Sequence, residues 1–273
     1  MNILLFLASA FAETTPVGQV TTALTYNRIA LSVKGQYGSH IPMWEKEDST
    51  LFNNTGIDLM GEFSATPAFT RGGVRAVVLP IAVLKLQGYA NAGYYFGNWQ
   101  TIVGYDSLDA NYGENSAIKE YVTDNPDRQN AGFGWSAGGS ATLQAKVGNV
   151  VFSNTTGFSS WHINAPEGET GPGFFEREQE VMMEFGQDSL IDNNTLLLYQ
   201  IDQKTDQFLR VGNLTTYRHS VNADDTMFRS GLLFVAQRNP SRSHIVIAQS
   251  YLNDRAFTSP SDLYIAYAYK YTM

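Results

Sequence analysis

The chain has 273 residues, of which 43% are hydrophobic, 13% aromatic and only 16% charged, where a soluble globular domain carries roughly 25% charged residues. A formal charge of -8, from 18 Lys and Arg against 26 Asp and Glu, excludes the broad positive field that nucleic-acid binding needs, so no nucleic acid is expected as a partner. A mean hydropathy of -0.21 is too polar for a bundle of membrane helices, and the apolar content is too high for a disordered chain.

The N-terminus opens on the short apolar run Ile3 to Ala8, followed by Ala10-Phe11-Ala12. That small-x-small pattern is the one signal peptidase reads, so residues 1–12 are expected to be a signal peptide and 13–273 a single domain. No later stretch reaches the ~18 to 20 consecutive apolar residues of a spanning helix, so an exported chain is either soluble or crosses a membrane as a closed barrel. The chain holds no cysteine, which removes disulfides and thiolate metal sites. Asn-x-Ser/Thr triplets at Asn53, Asn154, Asn193 and Asn213 have meaning as modification sites only in a glycosylating host and are read as chance matches.

Taken in chain order, segments with two-residue alternation are predicted at 19–37, 56–65, 73–86, 89–105, 131–147, 150–163, 174–187, 195–201, 207–219, 226–238, 244–252 and 262–273. Successive side chains of a strand point to opposite faces. In 131–147, Phe133, Trp135, Leu143 and Val147 oppose Gly132, Gly134, Ser136, Gly138, Ser140, Thr142, Gln144 and Lys146. In 174–187, Phe175, Val181, Met183 and Phe185 oppose Glu176, Glu178, Glu180 and Glu184. The last segment sets Leu263, Ile265, Tyr267, Tyr269, Tyr271 and Met273 against Asp262, Tyr264, Ala266, Ala268, Lys270 and Thr272. Tyr89, Tyr94, Tyr95, Trp99, Trp161, Tyr199, Tyr217 and Tyr251 lie near segment ends, as the interface girdles of a membrane barrel would. The predicted fold class is all-β, an antiparallel transmembrane β-barrel. After cleavage 273 - 12 = 261 residues remain, and ~20 residues per strand with its connection suggest about 12 strands, with 10 to 14 compatible. The alternative is a soluble exported β-sandwich that uses the apolar face as its core and binds an envelope or carbohydrate partner. The twelve-segment reading has one internal conflict. It sets the longest connection, 106–130, on the side of the short turns, so one early segment must be split or merged wrongly.

With these features the chain resembles Gram-negative outer-membrane β-barrel proteins, whose last strand carries alternating aromatics that the insertion machinery recognises. Tyr267, Tyr269, Tyr271 and Met273 match that alternation, although Met273 stands where Phe is usual and Ala268 where glycine is common. The resemblance is to the class and to no single family. It implies an outer-membrane location, with lipids and the barrel insertion machinery as partners and a small polar solute or ion as a possible cargo.

The most distinctive polar feature is a predicted lumen charge wall. Glu176, Glu178, Glu180 and Glu184 share one face of one segment, and Arg210, Arg218 and Arg229 fall on the inferred inward faces of neighbouring strands. Carboxylates two residues apart repel unless cations screen them. Such a wall either biases solutes in a pore or forms a salt-bridged plug. No catalytic residue and no cofactor are expected. Outer-membrane phospholipases and lipid A deacylases suggest a barrel-embedded hydrolase as the enzymatic alternative, with His219-Ser220 or Ser243-His244 as the available pairs. Adjacent residues on a strand point to opposite faces, which separates a nucleophile from its base. His40, His162, His219 and His244 lack close ligand spacing, so no metal site is expected.

Overall fold

Two-residue alternation over segments of ten or more residues is satisfied either by two sheets that bury their apolar faces against each other or by a closed sheet with an apolar outside and a polar inside. The computed structural model describes residues 15–26, 30–44, 46, 48–49, 51–52, 55–99, 101–112, 115–164, 171–204, 207–255, 257 and 262–273. The expected signal peptide, residues 1–12, lies outside the described residues. Twelve antiparallel strands close into a ring: β1 (Thr15–Tyr26), β2 (Ala30–Pro42), β3 (Gly56–Ala65), β4 (Phe69–Ile81), β5 (Leu84–Tyr95), β7 (Gly132–Val147), β8 (Val150–Ile163), β11 (Asp188–Lys204), β12 (Gln207–Ser220), β13 (Asp225–Asn239), β14 (Arg242–Asn253) and β15 (Leu263–Thr272). The ring closes where β1 pairs β15, from Gln19 opposite Thr272 to Tyr26 opposite Ile265. A closed ring leaves no room for the two-sheet sandwich alternative.

Three further strands, β6 (Val103–Tyr105), β9 (Gly173–Glu176) and β10 (Val181–Glu184), form a separate small sheet in the order β10-β9-β6. A helix, α1 (Asn115–Asp124), follows β6. These pieces come from the two longest connections, 96–131 and 164–187, which leave the same end of the ring. The opposite end carries the two-residue links 82–83, 148–149 and 240–241, the facing ends of β11 and β12 at Lys204 and Gln207 and of β2 and β3 at Pro42 and Gly56, together with Thr15 and Thr272. At Gly148 the β7–β8 link takes φ +57, the left-handed conformation that two-residue hairpins commonly use.

The number of barrel strands matches the sequence reading, yet two of its segments are reassigned and two more change bounds: 73–86 runs across the β4–β5 turn into β5, and 89–105 runs from β5 on into β6 of the small sheet. Segment 19–37 is two strands, since β1 and β2 pair as a hairpin from Thr25 opposite Ala30. Segment 174–187 belongs to the small sheet and not to the ring. One merged strand and one surplus strand cancel in the count while reversing the parity between them. That reversal is the source of the conflict over 106–130, which in the structure leaves from the end with the long connections.

Outward positions are apolar: Leu24, Leu31, Phe63, Val74, Leu143 and Phe158 are all more than half exposed. Inward positions are small or polar, and neighbouring backbones approach closely where glycine faces in. A Cβ at Gly212 would overlap the Leu197 carbonyl oxygen and crowd the Leu198 Cα. Gly212→Val is therefore expected to destabilise the folded barrel by about 1–3 kcal/mol. The check is the denaturant midpoint of the heat-modifiable band on a gel, which should fall; an unchanged midpoint would contradict this packing.

Candidate functional site: an ion-paired hairpin in the barrel mouth

The small sheet lies across the mouth at the long-connection end, because both of its faces are apolar. On the face toward the barrel, Phe174, Val181 and Met183 pack with Phe69, Tyr95, Trp161, Leu190, Met227 and Tyr251 of the wall. On the other face, Val103, Tyr105, Phe175 and Met182 pack beneath Ile118 of α1 and Tyr112. Carboxylates at the rim tie the sheet to the wall. Asp188 accepts hydrogen bonds from the Glu184 N–H at 2.8 Å and from Ser220 Oγ at 2.7 Å. Asp225 accepts the Met182 N–H at 2.6 Å.

The connection between β9 and β10 dips into the lumen. It is closed by the Glu180 N–H donating to Glu176 O at 2.7 Å, with Glu180 at φ +61. A side chain in that left-handed region costs energy unless the surroundings hold it. Here they do so with charge. Glu180 is 3% exposed and pairs with Arg229 of β13, itself 7% exposed. Tyr251 Oη donates to the other Glu180 oxygen at 3.0 Å, and the Arg229 guanidinium lies 3.5 Å from the Tyr264 ring centroid. Glu178 pairs with Arg71 of β4 and with Lys34 of β2, the latter at 2.6 Å. Arg218 of β12 donates to the Glu178 and Gln179 carbonyl oxygens at 2.9 and 3.0 Å. Among the described residues Glu176 forms no ion pair of its own; Tyr95 Oη donates to it at 3.5 Å and the Gln179 N–H at 2.6 Å. Burial, followed by the Glu178 carboxylate, pushes the Glu176 carboxyl up to about 7 against partial relief from Arg71. Glu178 is moved the opposite way: burial opposes its charge, but Arg71 and Lys34 prevail and hold it well below the usual carboxylate range. Between this hairpin and the walls of β1 and β2 lies a cavity of about 540 Å³ that reaches Lys34, Arg218, Arg229 and Tyr264.

The outer wall presents large apolar side chains around a ring with no edge, while charges face the lumen. Only such a closed sheet can cross a bilayer as strands, and a single-chain antiparallel barrel with an even strand number is the outer-membrane type. The chain is an outer-membrane β-barrel. Barrels of this type turn their longer connections outward, so the small sheet and α1 of this outer-membrane barrel cap its external mouth.

No family model matches this outer-membrane barrel, and no curated protein matches it. Among solved structures it aligns with the β domain of the Bordetella autotransporter BrkA at 9% identity and TM-score 0.46, over 94% of this chain and 98% of that one. It aligns with the translocator domain of the Neisseria meningitidis autotransporter NalP at 7% identity and TM-score 0.43, over 99% and 95%. LpxR from Salmonella typhimurium aligns at 9% identity and TM-score 0.41, over 94% and 99%. Superpositions this loose leave the barrel resting on its own strand pairing and outer face.

Of the residues expected to form a charge wall, the structure gathers Glu176, Glu178, Glu180, Arg218 and Arg229. The carboxylates do not share one face of one barrel strand, because positive φ at Glu180 breaks the alternation and folds the segment back on itself. Glu184 lies apart at the rim, accepting from Asn222 Nδ2 at 2.8 Å. Arg210 lies lower in the barrel, donating to Gln200 at 3.1 Å and stacking over Phe208. Sequence reasoning missed Lys34 and Arg71. Lys34 was hidden in the merged segment, and Arg71 precedes the assigned start of segment 73–86; both stand at inward positions of their true strands. Tyr95, Trp161 and Tyr251, expected in an interface girdle, face inward and build the cap's core. Tyr267, Tyr271 and Met273 face outward as read, and Tyr269 on the same face packs on His244 at 5.3 Å between centroids. Neither hydrolase pair is assembled: Ser220 bonds Asp188 inside while His219 bonds Thr226 at 3.0 Å, and His244 bonds Tyr267 at 2.8 Å. Among the described residues no cluster of three metal-ligating side chains occurs.

Removing one partner of a buried ion pair strands the other, at a cost of roughly 3–5 kcal/mol. Glu180→Gln does this to Arg229, so tryptic cleavage after Arg177 in the hairpin should accelerate by at least about tenfold, a conservative fraction of that cost. Fragment mapping measures it, and a rate equal to that of the unsubstituted protein would contradict the anchoring role of the pair.

Proposed function

We propose that this outer-membrane barrel is a small pore held shut by its own inward hairpin, serving as a structural envelope protein while closed, and that it performs no catalysis. The observation that carries the reading is the pairing of Glu180 with Arg229 and of Glu178 with Arg71 and Lys34. These join one hairpin to walls on several sides of the mouth. A salt-bridged plug is a better account of buried opposite charges than an open selectivity ring, since unpaired charge is costly away from water. Below the hairpin, Lys85, Arg210 and Lys270 occupy inward positions of β5, β12 and β15. An opened lumen would therefore favour small anions or anionic polar solutes. Outer-membrane lipids cover the apolar wall, and the terminal strand with Tyr267, Tyr269, Tyr271 and Met273 would be the element offered to the insertion machinery.

Conductance in planar bilayers tests this reading. The refolded barrel should be nearly silent, and the double variant Glu178→Gln, Glu180→Gln should show discrete, anion-preferring steps. A continuously open unsubstituted barrel would contradict the plug, and a double variant that stays silent although correctly folded would contradict the pore.

The opening should also depend on pH through Glu176. Its carboxyl titrates at about 7 when the hairpin is docked and near 4.3 when it is free in water. The docked form thus holds its proton more tightly, and docking is strongest at low pH. That advantage declines as pH rises from about 4.3 to 7 and changes no further above the docked value. Open events should be more frequent at pH 8 than at pH 5.5, and Glu176→Gln should flatten the dependence. The opposite slope would overturn this assignment.

A further inference from the structure

The outward wall is not uniformly apolar. Asn154, Thr195, Thr215, Ser230 and Ser250 stand directly opposite one another, strand by strand, across β8, β11, β12, β13 and β14. Thr156 and Asn193 pair beside this row, and Asn213 adjoins Thr215 on the same face. Three of these strands carry the same triplet, Asn-x-Thr, at 154–156, 193–195 and 213–215. On a strand that spacing puts an amide and a hydroxyl on one face. Apolar tiers bound the row on both sides: Phe158, Ile191 and Leu252 toward the external mouth, and Phe152, Leu197 and Leu232 toward the other end. Its depth is therefore that of the hydrocarbon, out of reach of lipid headgroups.

The side chains are already organised into ladders. Asn154 Nδ2 donates to Thr195 Oγ1 at 2.8 Å, and Asn193 Nδ2 donates to Thr156 Oγ1 at 2.7 Å. Asn213 Nδ2 donates to Ser230 Oγ at 3.2 Å, and Thr215 and Ser230 share a bond of 2.9 Å. These bonds make the row tolerable in lipid: the Asn154, Asn193 and Asn213 amide oxygens each accept two bonds within the row, so the accepting capacity left at the surface is on the hydroxyl oxygens. Polar groups facing lipid at this depth are a recurrent means of holding membrane segments together.

We propose that this row is the contact face of a homodimer in the membrane plane, two copies meeting ladder to ladder about a two-fold axis. The row carries no charge, and each of its residues both donates and accepts, so its chemical complement is itself, as an isologous contact requires. Five strands at ~4.8 Å spacing and the ~20 Å between the bounding tiers give a polar patch of ~480 Å² per copy. Because the wall is convex, only its central strands meet a second barrel, so the contact is smaller than the ~1,000 Å² of a standing interface and belongs to a weak, reversible dimer. Beside the row, β7 and β5 present Gly139, Ala141 and Gly88 outward, which lets a second barrel come close. The dimer face is independent of the hairpin in the lumen.

The chain has no cysteine, so single reporters can be placed without background. Asn154→Cys, Thr195→Cys and Ser230→Cys should be made in the full-length barrel reconstituted in liposomes, with Val74→Cys on the far wall as the control. At least one cysteine in the row should give a folded, oxidant-dependent covalent dimer while Val74→Cys gives none. In mild detergent, the variant Asn193→Leu, Thr195→Val should raise the monomer–dimer dissociation constant by at least about tenfold in sedimentation equilibrium. Its heat-modifiable gel shift verifies folding, and Thr215→Val serves as a second variant if that shift is lost. A monomeric unsubstituted barrel, cross-linking no greater in the row than at Val74, or a dimer indifferent to the apolar substitutions would each overturn the proposal.

Discussion

A buried carboxylate and a buried guanidinium are each costly, and only their pairing makes either tolerable. Glu180 and Arg229 are such a pair, and much of the mouth follows from it. Because Arg229 is fixed on a barrel strand, the hairpin that carries Glu180 must come to the wall. Because the hairpin enters the lumen, the strands on either side of it, β9 and β10, are drawn across the opening. Their two apolar faces then require cover, the inner from Phe69, Trp161 and Tyr251 and the outer from α1. The positive φ at Glu180 is the local strain this arrangement sustains, held in place by the contacts of its own side chain.

The barrel was legible in the sequence because its physics is repetitive. Ten or more residues with lipid on one side and lumen on the other impose an alternation that no soluble helix shows, and β7 and β15 state it plainly. Strand boundaries were less legible. β2 begins four residues after β1 ends, so the alternation reads on as the single segment 19–37. Segment 174–187 alternates apolar with acidic residues as a barrel strand would, since a two-sided cap needs the same pattern. Of the candidate site, the carboxylates and two arginines could be found by their chemistry, while Lys34 and Arg71 could not. They lie more than a hundred residues from Glu178 in sequence, and only the closure of the ring brings β2 and β4 to face the hairpin.

Each wall face of the barrel follows its solvent with a bounded exception. The lumen face is polar, except at the mouth, where aromatic side chains form a dry core under the cap. The lipid face is apolar, except for the Asn, Thr and Ser ladder at mid-depth. The aromatic exception is packed dry beneath the cap and the polar one is internally hydrogen-bonded, as groups in the wrong solvent must be. The barrel itself supplies a rigid frame on which these two departures can be held at fixed positions.

The central claim is that residues 173–184 are docked in the mouth as part of the fold and are not a loop lying over it. Hydrogen–deuterium exchange of the lipid-reconstituted barrel measures this directly. The account predicts amide protection across 173–184 approaching that of the barrel strands, with the N–H groups of Gln179, Glu180 and Met182 slow to exchange. Exchange at the rate of solvated external loops would contradict it.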